Sequence, residues 1–263
     1  MLRRVTYIPI RVPVMRGRFN LYQTIKRAVE EQGEEILDGD ILAVSSKFIA
    51  MSEGRVVNLD SVKPSVEAVK LSAAAHIPSS LAELILREAD RIYSTLSGFV
   101  LTIKRGVVVP NAGIDRSNVE RGSAILYPRE PLAAAERLRL QILVDLGKRV
   151  GVVVTDSRLM PTRIGTTGIA VAAAGFEAVS DERGKTDLFG NIMRVTRRAL
   201  ADAISAGANL LMGETSESIP VVIVRGSGLT IIDRAVETED LAIKADECVF
   251  IRGLSQQEIT VYI

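Results

Sequence analysis

Two aspartates, Asp115 and Asp156, each follow a run of valines and each lead into hydroxyl-bearing residues. The first lies in Val107-Val108-Val109-Pro110-Asn111-Ala112-Gly113-Ile114-Asp115-Arg116-Ser117-Asn118, the second in Gly151-Val152-Val153-Val154-Thr155-Asp156-Ser157. A carboxylate just past the tip of a buried strand faces solvent or a ligand, and two of them invite a cation. A third acid, Glu214, stands in Met212-Gly213-Glu214-Thr215-Ser216-Glu217-Ser218-Ile219, directly before the apolar run Val221 to Val224. With hydroxyls at Ser157 and Thr215 and an amide at Asn118, these acids form an oxygen-only donor set suited to Mg2+ or Mn2+ carrying phosphate. A metal there would bridge phosphate oxygens and neutralise charge as a phosphoryl group moves. The plainer alternative is that Asp115 makes an Asx turn and Asp156 caps its loop. Spacing alone does not choose between them.

The inventory removes other chemistries. With a single histidine, His76, and a single cysteine, Cys248, no His-rich zinc site is possible, and a serine triad would have to use His76. His76 follows Ser72-Ala73-Ala74-Ala75 at the expected end of a helix, where the dipole favours a cation. Neither a Gly-x-x-x-x-Gly-Lys-Ser/Thr loop nor a Gly-x-Gly-x-x-Gly after a strand is present. Lys and Arg total 33 against 32 acids, a balance that argues against a nucleic-acid-coating surface and leaves a small-molecule or protein partner. One cysteine suits a reducing interior. The N-terminal residues lack the apolar stretch and cleavage site of a signal peptide, and no run approaches the length of a membrane span. A soluble, cytoplasmic protein is expected, its 263 residues forming one large unit or two intimately joined lobes.

The elements that must position these residues follow from periodicity. Val5 to Ile10 reads as an edge strand interrupted by Pro9. Leu21 to Gln32 reads as an amphipathic helix stopped by Gly33. Ile41 to Val44 is a buried-type strand that empties into Ser45-Ser46-Lys47, where the hydroxyls either meet a phosphate or cap a helix. A strand over Val56 to Leu59, a helix from Pro64 to Ile77 and another over Leu81 to Ala89 come next. Then comes a hairpin from Gly98 to Val109, turning near Lys104-Arg105-Gly106. Pro131 opens a long helix to Leu146 that Gly147 ends, with Arg137 and Arg139 read as solvated surface. The valine runs are expected as consecutive strands of a crossover unit, their ends brought together. Residues 157–168 are expected as a long functional loop, and 169–175 as a tightly packed stretch of small residues. A helix over about Thr196 to Leu211 ends at Gly213, and Cys248-Val249-Phe250-Ile251 reads as a last strand.

Several segments together resemble the coenzyme F420-0:L-glutamate ligases, the gamma-glutamyl ligases that extend a deazaflavin coenzyme. They are Gly39-Asp40-Ile41-Leu42-Ala43-Val44-Ser45-Ser46-Lys47, Glu53-Gly54-Arg55, Asn111 to Val119, Thr155-Asp156-Ser157, Asp181-Glu182-Arg183-Gly184 with Asp187, Arg194-Val195-Thr196 and Met212-Gly213. The resemblance covers about Val5 to Arg225 and is most specific at Asn111-Ala112-Gly113-Ile114-Asp115. It implies an α+β fold of mixed sheets with flanking helices in an intertwined homodimer. It also implies an enzyme that uses GTP, Mg2+ or Mn2+, and K+ to join the amino group of L-glutamate to a carboxylate of the deazaflavin coenzyme or a related acceptor through an acyl phosphate. By the same resemblance Asp115, Asp156, Ser157 and Glu214 are metal ligands. Ser45, Ser46 and Asn118 contact nucleotide, residues Met212 to Ile219 wall it in, and Ile8-Pro9-Ile10 touches its base.

Departures from the family pattern are as informative. Met51 stands where a lysine is usual, and Glu214 where a glutamine is. Gly168 replaces a common aspartate, and Arg158-Leu159-Met160 replaces Phe-Gly-Arg after the second aspartate and its hydroxyl neighbour. Losing a cation beside a triphosphate is not conservative. The alternative is therefore a paralogue that binds nucleotide or metal without ligation, or a ligase for another acceptor.

Overall fold

The computed structural model describes residues 4–244 and 247–255. In chain order the elements open with β1 (Thr6–Ile10), α1 (Leu21–Glu31), β2 (Ile41–Ser45), α2 (Ser46–Ser52), β3 (Val56–Asn58), α3 (Val66–Ala75), α4 (Ser79–Glu88), β4 (Arg91–Leu96), β5 (Phe99–Lys104) and β6 (Val107–Pro110). They continue with β7 (Ser123–Ile125), α5 (Pro131–Leu146), β8 (Gly151–Leu159), β9 (Thr166–Ala174), β10 (Val179–Asp181), β11 (Arg197–Ala199), α6 (Leu200–Met212), β12 (Val221–Arg225) and α7 (Val249–Ser255). The fold is α+β. Two compact units divide the chain, one of Met1–Asn58 with Asp115–Leu241 and one of Leu59–Ile114 with Ala242–Ile263. Among the described residues no helix is long and apolar enough to cross a membrane.

The larger unit is built on a five-stranded sheet ordered β1-β12-β2-β8-β9, in which β2 and β8 are parallel and every other pair antiparallel. Its central strands read as unbroken apolar runs because both faces are covered. Alternation then splits each strand between two cores. Leu42, Val44, Val152, Val154, Val221 and Ile223 meet Ile25 and Val29 of α1 and Leu138 and Ile142 of α5 on one face. Ile41, Ala43, Val153, Val222 and Val224 meet Ala201, Ile204 and Ala208 of α6 on the other. The Asn20 side chain caps α1 by accepting from the Gln23 N–H at 3.0 Å, and Gly147 ends α5 at φ 67°. The pairs β3-β7 and β10-β11 complete this unit. The smaller unit pairs the sheet β4-β5-β6 with α3 and α4, and His76 sits exposed at the left-handed end of α3 as expected.

Several expectations are corrected. The two valine runs are not neighbouring strands: β6 pairs β5, whereas β8 lies between β2 and β9. Residues 157–168 are no long loop, because β8 runs on to Leu159 and turns back as β9 in a hairpin. The helix after Thr196 starts only at Leu200, since Arg197–Ala199 pair with Val179–Asp181. Arg139 is buried rather than solvated, held by Glu136 at 2.6 Å and facing Asp233 at 3.6 Å. Strand β4 escaped periodicity because five of its six residues are exposed, which leaves no apolar alternation to detect. Val249–Ser255 is helical, not extended, and its Arg252 N–H donates to the Cys248 carbonyl at 2.9 Å. A short apolar run carries no periodicity that separates helix from strand.

Candidate functional site

Parallel pairing sets the centre of the site. The register places Ser45 opposite Thr155, so that β2 gives way to α2 at Ser46 just where β8 continues through Asp156, and the two side chains meet. Ser46 Oγ donates to Asp156 Oδ1 at 2.9 Å. Ser45 takes the N-cap position of α2 without any side-chain capping bond. The serine pair is therefore not a capping device. Asp156 Oδ2 faces Arg158 Nε at 3.3 Å, and the same guanidinium lies 3.4 Å from the Tyr127 hydroxyl through Nη2.

Asp115 is fixed by a separate arm. Its backbone exchanges two hydrogen bonds with Ile125 of β7, at 3.0 and 2.8 Å. Oδ1 accepts from the Ser117 N–H at 2.7 Å, the local turn that sequence admitted as one alternative. Oδ2 meets Lys47 Nζ at 2.6 Å, and that ammonium also donates to the Ser117 carbonyl at 3.1 Å and to its hydroxyl at 2.7 Å. Burial pushes the Asp115 carboxyl up, but Lys47 and the two Ser117 donors outweigh it and hold the group below its ordinary value. Its contribution to stability is thus complete above about pH 4 and fades as pH falls through the depressed value. Lys47→Met leaves burial opposed by Ser117 alone, so the Asp115 carboxyl should titrate at higher pH than in the wild type. Carbon-13 NMR of labelled aspartate checks this, and an unmoved midpoint would show that Lys47 does not govern Asp115.

Glu214 closes the third side. Its Oε1 accepts from Ser157 Oγ at 2.5 Å, Thr166 Oγ1 at 3.0 Å and Asn209 Nδ2 at 3.3 Å, so both strands of the β8-β9 hairpin and the last turn of α6 converge on it. Beyond it Thr215 donates to Glu217 twice, from its N–H at 2.8 Å and its hydroxyl at 3.1 Å. These donors, with the Glu217 N–H first, hold that carboxyl below its ordinary value. Gly213 takes φ 64°, and the Glu217 carboxylate folds over it.

A polar line therefore runs from Asp115 through Lys47 and Ser46 to Asp156, then through Ser157 to Glu214, each step a peptide neighbour or a measured contact. Among the described residues no three acids, histidines or cysteines are grouped as a set that could hold a metal. Pairing of β1 with β12 aligns Ile8, Pro9 and Ile10 with Ile223, Val222 and Val221, and the Val12 N–H donates to the Ser218 carbonyl at 3.0 Å. The N-terminal strand so adjoins the 212–219 segment. Ile10 is fully buried, as its packing in the first core requires, while Met212 and Ile219 pack against the second. Asn118 is exposed, at φ 54°. Sequence reasoning missed the part played by Arg158 and left Lys47 open. Two-residue spacing from Asp156 would have placed Arg158 on the same face, had β8 been extended past Val154.

Comparison with known proteins identifies the chain as a ligase that forms carbon–nitrogen bonds. The family model for F420-0:gamma-glutamyl ligase matches residues 9–226, and the chain is a member of that family. A protein from Archaeoglobus fulgidus named coenzyme F420:L-glutamate ligase is 38% identical over 224 residues, 85% of this chain and 88% of its own length. Proteins of the same name are 37% identical over 230 residues in Methanocaldococcus jannaschii (86% and 90% covered) and 36% over 216 residues in Methanothermobacter thermautotrophicus (82% and 86% covered).

Proposed function

We propose that this protein uses GTP to join L-glutamate to coenzyme F420-0, or to a related acidic acceptor, through an acyl phosphate. Family membership supports the substrates, and the contact of Ser46 with Asp156 at the mouth of the central parallel strand pair carries the site. In open α/β sheets ligands bind beyond the carboxyl ends of parallel strands, and β2–β8 is the one parallel pair of this mixed sheet. An oxygen of the acceptor carboxylate attacks the γ-phosphorus, and the bond to the bridging oxygen breaks with its electron pair leaving on GDP. The glutamate amine then attacks the acyl carbon, phosphate departs with the electrons of the C–O bond, and the nitrogen gives up its proton. Ser45, Ser46 and Asn118 would contact the nucleotide, with Ile8, Pro9, Ile10 and the segment Met212, Gly213, Glu214, Thr215, Ser216, Glu217, Ser218 and Ile219 around it. Lys47 stands where it could pass from Asp115 to a phosphate oxygen.

In chemistry the donors suit a hard divalent cation, since Asp115, Asp156, Ser157 and Glu214 offer only oxygen; phosphate oxygens of a nucleotide would complete a set that the acids of the described residues do not close by themselves. Asp115 and Asp156 keep 45% and 25% of their side-chain surface open, so each has a free side for a ligand. Those four residues would hold Mg2+ or Mn2+, which when bound would offset charge on the phosphates. K+, a homodimeric assembly and a cytoplasmic location complete the proposal by family likeness. The acyl phosphate is tested with an acceptor whose carboxylate carries oxygen-18: one labelled oxygen should appear in the released phosphate for each amide formed. Unlabelled phosphate alongside amide product would remove the acyl-phosphate route.

One observation favours a second possibility, a nucleotide-binding paralogue without ligation. Both aspartates already face cations of the chain itself, Lys47 and Arg158. Tight GTP binding with no amide formed from any acidic acceptor would support it.

A further inference from the structure

The two in-chain cations differ in a way that matters for metal entry. Lys47 is a flexible side chain, 23% exposed, on a carboxylate that is itself nearly half open, so it can leave Asp115 for another anion. Arg158 is 7% exposed, lies within strand β8 and is tied to Tyr127 at its far nitrogen. A guanidinium keeps its charge at every physiological pH. A buried charge of that kind demands a partner. Asp156 is the acid that pairs with it, and Asp202 of α6, whose carboxylate accepts from the Ala170 N–H at 2.9 Å, is a second acid in its field. Asp156 is thus gripped on both oxygens, by Ser46 and by Arg158, before any ligand arrives.

We infer that Arg158 is an affinity-setting residue: as a fixed counter-ion of Asp156 it weakens divalent-cation binding in the nucleotide-free protein, so that the cation binds best together with a triphosphate. The inference rests on the metal reading proposed above. A triphosphate supplies several negative oxygens of its own and outweighs one guanidinium, whereas Asp156 alone does not. Arg158 therefore lowers cation affinity strongly in the nucleotide-free protein and weakly in the complex. It acts through Asp156 and is a positioning residue rather than a catalytic one.

The test is Mn2+ binding to the full chain by equilibrium dialysis, counting the Mn2+ held with the protein in excess of the protein-free compartment, with and without GTP in both. Arg158→Met should bind Mn2+ roughly tenfold more tightly than wild type without GTP, the scale of a one-unit electrostatic shift. With GTP the difference should shrink below about threefold as the triphosphate dominates. Arg158→Lys, which keeps the charge, should behave as wild type. Arg158→Gln, which keeps polar donors without charge, gives the same reading as the methionine variant should that one not fold. Unchanged or weaker Mn2+ binding in the uncharged variants, where wild type does bind, overturns this inference and leaves the metal proposal standing. No Mn2+ bound by any of the proteins, with GTP or without, overturns both.

Discussion

Replacing Asp156 by asparagine is expected to lower kcat for amide formation by about two to three orders of magnitude, the usual cost of removing one preorganised electrostatic group at a reacting centre. Asparagine keeps the shape, and its amide oxygen can still accept from Ser46, whose bond to Asp156 Oδ1 is 2.9 Å in the native chain. The fold should therefore survive. What disappears is the negative charge that Arg158 and any divalent cation share. Leaving Arg158 buried beside a neutral amide also strips a guanidinium of its counter-ion, at a cost of about 3 kcal/mol in stability. Steady-state kinetics with thermal melting separates the two effects: a large fall in kcat with a fall of roughly 6–12 °C in melting midpoint is the expected pattern. A kcat within threefold of wild type would mean that Asp156 is a structural partner of Arg158 and nothing more.

Gly168→Ala is expected to be the most damaging substitution of a single small residue in the larger unit. A Cβ there would lie 2.2 Å from the Ser205 carbonyl oxygen, 2.7 Å from its carbon and 2.8 Å from Asn209 Cβ. Two of those atoms are helix backbone and cannot rotate aside, so strand β9 and helix α6 must part. The cost should be about 3 kcal/mol, at the upper end for overpacking. For a chain of this size that lowers the melting midpoint by roughly 6–12 °C. Activity should fall as well, because Gly168 pairs with Ser157 and Asn209 donates to Glu214, so separating strand from helix pulls the Ser157–Glu214 contact apart. An alanine variant that melts with the wild type would show that β9 and α6 are not in close contact in solution.

What the sequence disclosed and what it withheld divide along physical lines. Elements whose burial leaves a periodic mark were legible: the stripe of α1, the unbroken run of β2, and α5 between Pro131 and Gly147. Hydroxyls and acids at the ends of apolar runs also pointed to segments that the structure brings together, Ser46 with Asp156 and Ser157 with Glu214. Pairing was not legible. Which strand lies beside β8 depends on contacts far along the chain, and the neighbour proved to be β2 rather than the other valine run. That one fact puts Ser46 against Asp156, a pairing that spacing could never reveal. Arg158 was hidden for a related reason: a polar tail on a strand looks like a loop until the hairpin partner, Thr166–Ala174, is known. Arg139 looked solvated because Gly175 and Asp233, which lie against it, are remote in sequence. The place of His76 at the end of a helix and the glycine ends of the helices, by contrast, are local and were read correctly.

The most direct test of the account is mass spectrometry of F420-0 incubated with the protein, GTP, Mn2+ and L-glutamate, with GDP measured in the same samples. The account predicts that the acceptor gains a glutamyl residue, that one GDP appears for each residue gained, and that both fall together in Asp156→Asn. GDP released without any change in the acceptor, or an acceptor extended equally well by the asparagine variant, would contradict it.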